Sequence, residues 1–133
     1  MAPKRGVKRV IVAGHRLPAA EAEILRVLLA AEQPLLVAEV RDQLPGPTRA
    51  HTTVITLLGR LIKRGLVRRE GDSRGHRYAP AGTEQELAVV ALNDVVAGID
   101  DPARALVAFI NDLPATTRRG LRRALRDTEE EAP

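Results

Sequence analysis

The segment from Thr48 to Pro80 constrains the fold more than any other part of the chain, because a helical pattern runs directly into a hairpin pattern there. Apolar residues recur at the i, i+3, i+4 and i+7 positions of a helix, and these are Val54, Leu57, Leu58 and Leu61. This spacing predicts an amphipathic helix with one face toward a core. After a glycine stop, the stretches LVRRE and HRYAP flank the loop GDSRG, which predicts a β-hairpin with a basic tip.

Two further helical patterns precede this segment. The sequence LPAAEAEILRVLLAAEQ, which begins at Leu17, predicts a first helix, and PLLVAEVRDQL predicts a short second helix preceded by a residue or two of strand. The Pro- and Gly-containing turn from Leu44 to Thr48 cannot continue that helix, and Thr48 is expected to cap the next one. Two helices joined by a turn and followed by a hairpin predict a winged helix-turn-helix, whose second helix enters the major groove of DNA.

The chemistry of the exposed positions divides the predicted DNA contacts into two kinds. Thr52 and Thr56 can donate to or accept from base edges, and Ile55 can make only an apolar contact, such as one with a thymine methyl group. The basic side chains further along the helix and in the hairpin are expected to contact phosphates. The predicted DNA-binding residues are Arg49, His51, Thr52, Thr53, Ile55, Thr56, Arg60, Lys63, Arg74, His76 and Arg77.

Some of these contacts have a structural alternative. Thr53 could pack or bond to its own backbone, and Ile55 could be an ordinary exposed apolar residue. The basic hairpin could be a sheet edge that its charges protect from aggregation, without any role in DNA binding.

Charge is distributed unevenly along the chain. Residues 1–82 contain 15 Lys and Arg against 7 Asp and Glu, whereas residues 83–133 contain 6 against 10. The basic first part is therefore expected to bind a polyanion such as nucleic acid, and the acidic second part is expected to have a different function. We predict a flexible basic arm over residues 1–16, a winged-helix domain over 17–82 and a helical domain over 83–133. The arm either contacts phosphates or a minor groove, or is a solvated terminus.

The acidic C-terminal part shows three short helical patterns, each with an apolar stripe. Helices within only about 50 residues bury little surface alone, so pairing with a second copy would complete their core. The alternative is that they fold back onto the winged helix of the same chain. The residues predicted for dimerisation are Leu87, Val90, Ala91, Val95, Leu106, Phe109, Ile110, Leu113, Leu121 and Leu125.

Composition excludes several classes of function. The chain has no Cys, which rules out disulfides, thiolate nucleophiles and cysteine-based metal sites. His15, His51 and His76 are widely separated, and phosphate-binding loops and dinucleotide signatures are missing, so we expect no enzyme, no cofactor and no metal. No apolar run approaches the roughly 20 residues of a membrane span, and we therefore expect a soluble cytoplasmic protein without membrane insertion.

The order and spacing of LPAAEAEILRVLL, TTVITLLGRLIKRGLVRRE and HRYAP resemble the penicillinase and methicillin-resistance repressors, with the copper-responsive repressors as more distant relatives. The resemblance extends from about Leu17 to Leu125. It implies a homodimer in which an N-terminal winged helix and a C-terminal dimerisation domain bind palindromic operators and repress transcription. It also implies DNA contacts by Thr53, Thr56, Arg60 and the basic wing residues around Arg74 to Arg77.

The chain departs from this family in how repression would be relieved. Family members are cut between an Asn and a Phe when a membrane antibiotic sensor is triggered, whereas Asn93 and Asn111 are each followed by Asp here. The cysteines with which the copper-responsive relatives sense metal are absent.

We predict a mostly α-helical protein with a small β-hairpin wing that acts as a dimeric, sequence-specific repressor on double-stranded DNA. Relief of repression by an antibiotic or cell-wall stress signal belongs to this prediction, and it would act either through a membrane sensor protease or through a small-molecule inducer. One alternative is a winged-helix regulator switched by a small-molecule inducer. Another is a protein-interaction module or a non-specific nucleoid-binding protein.

Overall fold

The computed structural model describes residues 8–131 with the exception of Ser73, and it is mostly helical. Its six helices are α1 (Ala19–Ala30), α2 (Val37–Gln43), α3 (His51–Lys63), α4 (Glu84–Ala97), α5 (Pro102–Asp112) and α6 (Ala115–Glu131). Its five strands are β1 (Arg9–Val12), β2 (His15–Pro18), β3 (Leu35–Leu36), β4 (Val67–Asp72) and β5 (Gly75–Pro80). The predicted fold class, a helical protein with a small hairpin wing, is confirmed.

The wing belongs to a three-stranded antiparallel sheet in the order β3-β5-β4. β4 and β5 form the hairpin, and Leu35 and Leu36 of β3 pair with Tyr78 and Arg77 of β5. The two-residue strand therefore joins the wing to the helices that precede it. This arrangement of α1, α2, α3 and a hairpin is a winged helix-turn-helix.

The apolar faces of α1 and α3 pack together in the core of the winged helix. Val54, Leu58 and Leu61 of α3 are fully buried, as are Ile24 and Leu25 of α1. The helical spacing predicted this stripe, because one side of an amphipathic helix must leave water. Its burial turns the opposite side of α3 outward.

The prediction of a flexible basic arm over residues 1–16 is wrong from Arg9 onward. Residues 9–18 form the antiparallel hairpin β1–β2, in which Arg9 pairs with Pro18 and Val12 with His15. Val12 and Leu17 are buried in the core, so this hairpin is held by apolar burial. Residues 1–7 of the predicted arm lie outside the described residues.

Two predicted helix starts also need correction. Leu17 and Pro18 belong to β2, and α1 begins only at Ala19. Thr48 does not cap α3, because that helix begins at His51 with Ala50 at its N-cap position and without a side-chain cap. The turn before α3 is thus two residues longer than the capping pattern suggested.

An ion pair joins α1 to the end of α3. The Arg64 Nε donates a hydrogen bond to Glu21 Oε1 at 2.9 Å. Glu21 is 1% exposed and is the only charged residue buried in the described part of the chain. A buried carboxylate requires such a partner, because an unpaired charge in the core is costly.

The chain divides into two compact units, with the boundary between Asn93 and Asp94. The predicted domain boundary between residues 82 and 83 falls before α4, whereas the first ten residues of α4 belong to the first unit.

At the start of α4, Thr83 and Glu86 form two hydrogen bonds of 3.1 Å. In each of them the backbone N–H of one residue donates to the side chain of the other. The Thr83 backbone N–H, and secondarily its hydroxyl, lower the pKa of the Glu86 carboxyl.

The second unit contains the end of α4 together with α5 and α6. α5 begins with Pro102 behind the N-cap Asp101, whose carboxylate accepts a hydrogen bond from the Arg104 backbone N–H at 3.2 Å. Arg118 of α6 donates to the Asn111 carbonyl oxygen at 3.3 Å, which ties the two helices together. None of the helices in the described residues is long and apolar enough to span a membrane.

We expect Arg64→Ala to lower the free energy of unfolding by about 2 kcal/mol, because the Glu21 carboxylate would remain buried without its partner. Urea denaturation measures this change. Arg26→Ala, which removes an exposed arginine of α1, is the matched control and should change stability little. Equal losses in both variants would show that the ion pair contributes nothing specific.

Candidate nucleic-acid interface

The outward face of α3 carries the residues that were predicted to read DNA. His51, Thr52, Thr53 and Thr56 are exposed, and Ile55 retains 42% of its accessible surface. Because Val54 and Leu57 anchor the opposite face in the core, these side chains project together into solvent. The helix thus presents hydroxyl and apolar groups near its N-terminal end, where a recognition helix meets base edges.

The hydroxyls on this face differ in what they can still donate. Thr56 Oγ1 donates a hydrogen bond to the Thr52 carbonyl oxygen at 2.9 Å, four residues earlier. Its proton is therefore used within the helix, and the oxygen can still accept. The backbone-bonding alternative that the sequence raised for Thr53 applies instead to Thr56.

Basic residues continue this face toward the end of α3. Arg60 and Lys63 are exposed in the last turn, and neither takes part in the four ion pairs found among the described residues. Their charges are available for a ligand. Because Arg60 and Lys63 lie at the end of α3 and not at its N-terminal end, they are better placed to contact phosphates than base edges.

The wing hairpin requires a glycine near the end of β4. Gly71 has a φ of 124°, and a Cβ atom at this position would lie 2.3 Å from the Gly75 carbonyl oxygen. At the tip, the Arg74 backbone N–H donates to Asp72 Oδ1 at 2.8 Å. The Arg74 side chain is exposed and takes part in none of the ion pairs of the described residues.

The other wing residues contribute unequally to an open basic surface. His76 is exposed on β5, whereas the Arg77 guanidinium donates to Glu39 Oε1 of α2 at 3.3 Å. Glu39 Oε1 also accepts a hydrogen bond from the Leu36 backbone N–H at 2.9 Å. Arg77 therefore holds the wing against α2 and offers less of its charge to a ligand than Arg74 does.

Arg49, which precedes α3, has a structural role as well. Its guanidinium lies 3.2 Å from Glu23 of α1, and its carbonyl oxygen accepts a hydrogen bond from Arg41 of α2 at 2.9 Å. The sequence predicted Arg49 as a DNA contact. Its position shows that it fixes the segment that leads into α3, with about one third of its side chain exposed.

The residues predicted for dimerisation do not all lie on an open surface. Leu87 is 4% exposed and packs into the winged-helix core, so the prediction that it forms a dimer contact is wrong. Its burial agrees with the fold-back alternative for the start of α4. Ala91, Ile110, Leu113 and Leu121 are half-buried.

The remaining predicted dimerisation residues are exposed, at between 41% and 64% of their accessible surface, and they are Val90, Val95, Leu106, Phe109 and Leu125. Three exposed apolar residues were missed, namely Val89 and Leu92 of α4 and Val107 of α5. They were missed because the prediction assigned only one apolar stripe to each helix and took the other faces to be polar. The signal for Val89 and Leu92 was the sequence of α4, in which apolar residues occur on more than one face of the helix.

The acidic partners Glu21, Glu23 and Glu39 were also missed as determinants of the site. They are distant in sequence from the arginines that they bind, so no local pattern could find them. No cluster of acidic or histidine side chains suited to a metal ion occurs within residues 8–131, Ser73 excepted.

Comparison with known proteins identifies relatives over most of the chain. Residues 17–127 match the penicillinase repressor family. The chain is 36% identical over 118 residues to the transcriptional regulator BlaI of two Mycobacterium tuberculosis strains, CDC 1551 and H37Rv, and the match covers 86% of both chains.

The chain is also similar to solved structures, among them MepR, a transcription regulator of the Staphylococcus aureus multidrug efflux pump MepA. Its TM-score is 0.46 at 15% identity, and the match covers 86% of this chain and 78% of MepR. A MarR family protein from Bacillus stearothermophilus has a TM-score of 0.44 at 20% identity, over 86% of this chain and 74% of that protein.

We expect Thr52→Val to weaken binding to a specific DNA site about fivefold, because it removes a hydroxyl whose proton is not used within the helix. Thr56→Val should have a smaller effect, since its hydroxyl already donates to the Thr52 carbonyl oxygen. Fluorescence anisotropy with specific and random DNA measures both. A larger loss for Thr56→Val would contradict the assignment.

We expect Arg74→Gln to reduce the slope of log affinity against log salt concentration by about 0.9, which is the contribution of one phosphate contact. Arg68→Gln is the matched control in the same hairpin, because Arg68 is paired with Glu70 and should contribute less. Titrations between low and physiological salt give both slopes. An unchanged slope for Arg74→Gln would exclude a phosphate contact at the tip.

Proposed function

This chain belongs to the penicillinase repressor family, and from that membership we propose that it represses transcription as a homodimer bound to a palindromic operator. Like its family, it is a DNA-binding transcriptional repressor and not an enzyme. The proposal concerns the finer points, which are the dimer, the symmetry of the operator and the signal that relieves repression. The resemblance stated from the sequence is thereby confirmed at the level of the family.

The observation that carries the proposal of a dimer is the exposure of large apolar side chains on the helices after the wing. Phe109, the only Phe of the chain, is 57% exposed on α5, and Val107 on the same helix is 59% exposed. A protein rarely leaves several large apolar groups of one helix in water unless another surface covers them. A second copy is the partner that supplies a matching apolar surface by symmetry.

A twofold dimer determines what kind of DNA site the protein binds. Two identical recognition helices related by a twofold axis fit an inverted repeat, with half-sites roughly 10 base pairs apart. In our proposal, Thr52, Thr53, Ile55 and Thr56 contact bases in each half-site. Arg60, Lys63 and Arg74 contact phosphates. His51 and His76 lie on the same exposed surfaces and contribute contacts there, and Arg49 and Arg77 position α3 and the wing.

Relief of repression is part of the same proposal. The family resemblance supports a response to an antibiotic or to cell-wall stress, received in the cytoplasm where the DNA lies. The bonds after Asn93 and Asn111 lead to Asp, which favours a signal that leaves the chain intact, such as an inducer, over cleavage by a sensor protease. The two routes leave different products, either the intact chain or two fragments.

Phe109→Asp tests the dimer, because it places a charge among apolar groups that would be buried between two copies. We expect the variant to have the mass of one chain, 14.4 kDa, whereas the proposed homodimer has twice that mass. We also expect the variant to bind a palindromic site with roughly a hundredfold lower affinity. Affinity for a single half-site should change little. Analytical ultracentrifugation and anisotropy titrations measure the two quantities.

Asn111→Asp adds the same charge on the opposite face of α5 and serves as the control, which should remain dimeric. A natural protein that is monomeric at micromolar concentration would refute the dimer. Protection of DNA without defined boundaries would instead indicate a non-specific nucleoid-binding protein.

A further inference from the structure

The last helix, α6, carries a run of closely spaced arginines, although it lies in the acidic part of the chain. They are Arg118, Arg119, Arg122, Arg123 and Arg126. Arg118 donates to the Asn111 carbonyl oxygen and therefore has a partner within the second unit. The other four recur at the i, i+3, i+4 and i+7 positions, so they lie on one face of the helix, opposite Leu121 and Leu125. We call these four residues the arginine face.

The arginine face is open to solvent and carries uncompensated positive charge. All four side chains are exposed, and none belongs to the four ion pairs found among the described residues. Arg119 and Arg123 are four positions apart, as are Arg122 and Arg126, and like charges at this spacing repel each other. The first turn of α6 has no acidic residue and its last turn no basic one, so the helix dipole does not relieve the repulsion. An anion bound to this face would relieve it.

A glycine interrupts the arginine face, and the fold does not require it. A Cβ atom on Gly120 would meet nothing within 4 Å outside its own stretch of helix. Glycine in the middle of a helix lowers its stability, so space is what this residue provides. Together with Thr116 and the arginine face, Gly120 lines a depression of about 530 Å³ on the surface of α6. A phosphate group can enter this depression and be held by guanidinium groups around it.

The residues that line the depression favour the phosphate backbone of DNA over other anionic partners. Guanidinium groups bind phosphate oxygens through two parallel hydrogen bonds. Besides the arginines, the lining consists of Thr116 and Gly120, so it contains no large apolar side chain. Surfaces that bind proteins or membranes normally have apolar or aromatic anchors, whereas contact with the DNA backbone needs none.

We propose that the arginine face of α6 is a second DNA-binding surface, which contacts the sugar–phosphate backbone of duplex DNA without reading its sequence. The proposed function places DNA contacts only on α3, the wing and the residues beside them, so this surface goes beyond it. From Arg119 to Arg126 the face extends about 10 Å, at 1.5 Å per residue. This length corresponds to about three phosphates of one strand, at 3.4 Å of duplex axis per nucleotide.

The experiment uses the full-length protein with its winged-helix phosphate contacts removed by Arg60→Gln, Lys63→Gln and Arg74→Gln. Fluorescence anisotropy measures its binding to a random DNA duplex over a range of salt concentrations. We expect this triple variant to bind the duplex at low salt. Adding Arg119→Gln and Arg123→Gln should make the slope of log affinity against log salt concentration shallower by about 1.8, which is the contribution of two phosphate contacts. Lysine at both positions should keep the slope, because it retains the charge.

Two further variants separate the arginine face from net charge and from stability. Arg104→Gln removes an exposed arginine of α5 in the same unit, and as the matched control it should leave the slope unchanged. Gly120→Gln keeps the net charge but fills the depression, so it should lower affinity about fivefold, as expected for the loss of a hydrogen bond to a charged group. Circular dichroism should show no loss of helix in this variant, because glutamine favours a helix more than glycine does.

Several outcomes would refute the second surface. They are a triple variant that binds no random duplex at low salt, a slope that Arg119→Gln and Arg123→Gln leave unchanged, and an equal change caused by Arg104→Gln. Binding to anionic lipid vesicles or to an acidic peptide, without binding to the duplex, would assign the face to another partner and refute it as well. If the triple variant binds a specific site as tightly as the natural protein, the contacts proposed for α3 and the wing fail instead.

Discussion

The ion pair between Glu21 and Arg64 is the contact that fixes the orientation of α3, the helix that we propose to read DNA. It joins the first turn of α1 to the residue that ends α3, and its carboxylate is buried. Apolar packing between the two helices supplies most of the stabilisation, but it is not directional. A paired charge in a core specifies one arrangement, because any other leaves that charge without its partner.

The same use of opposite charges separates the basic residues of the winged helix into two groups. Arg49 and Arg77 are paired with Glu23 and Glu39, so they attach α3 and the wing to the scaffold. Basic residues outside these pairs, such as Arg74, supply the open positive surface. A net positive charge attracts DNA in general, but only the unpaired side chains can exchange their counterions for phosphates without breaking a structural contact.

Much of the fold and part of the site followed from local patterns. The stripe of Val54, Leu57, Leu58 and Leu61 predicted which face of α3 is buried, and thereby which threonines are exposed. Hairpin strands, the wing loop and three C-terminal helices followed from glycines and helical periods in the same way. The β1–β2 hairpin was not predicted, because its turn uses Ala13, which is a residue that rarely adopts a positive φ. Leu87 was assigned to a dimer contact because periodicity shows that a face is buried without showing what buries it.

The sequence alone determined the winged-helix fold, the outward face of α3 and the family, because each depends on residues close together in the chain or on a contiguous motif. Only the tertiary structure decided which arginines are paired and that the N-terminal hairpin contacts α4 through His15. These features join residues up to 72 positions apart. No helical or strand period carries information over such distances, since the partners meet only when the core has formed.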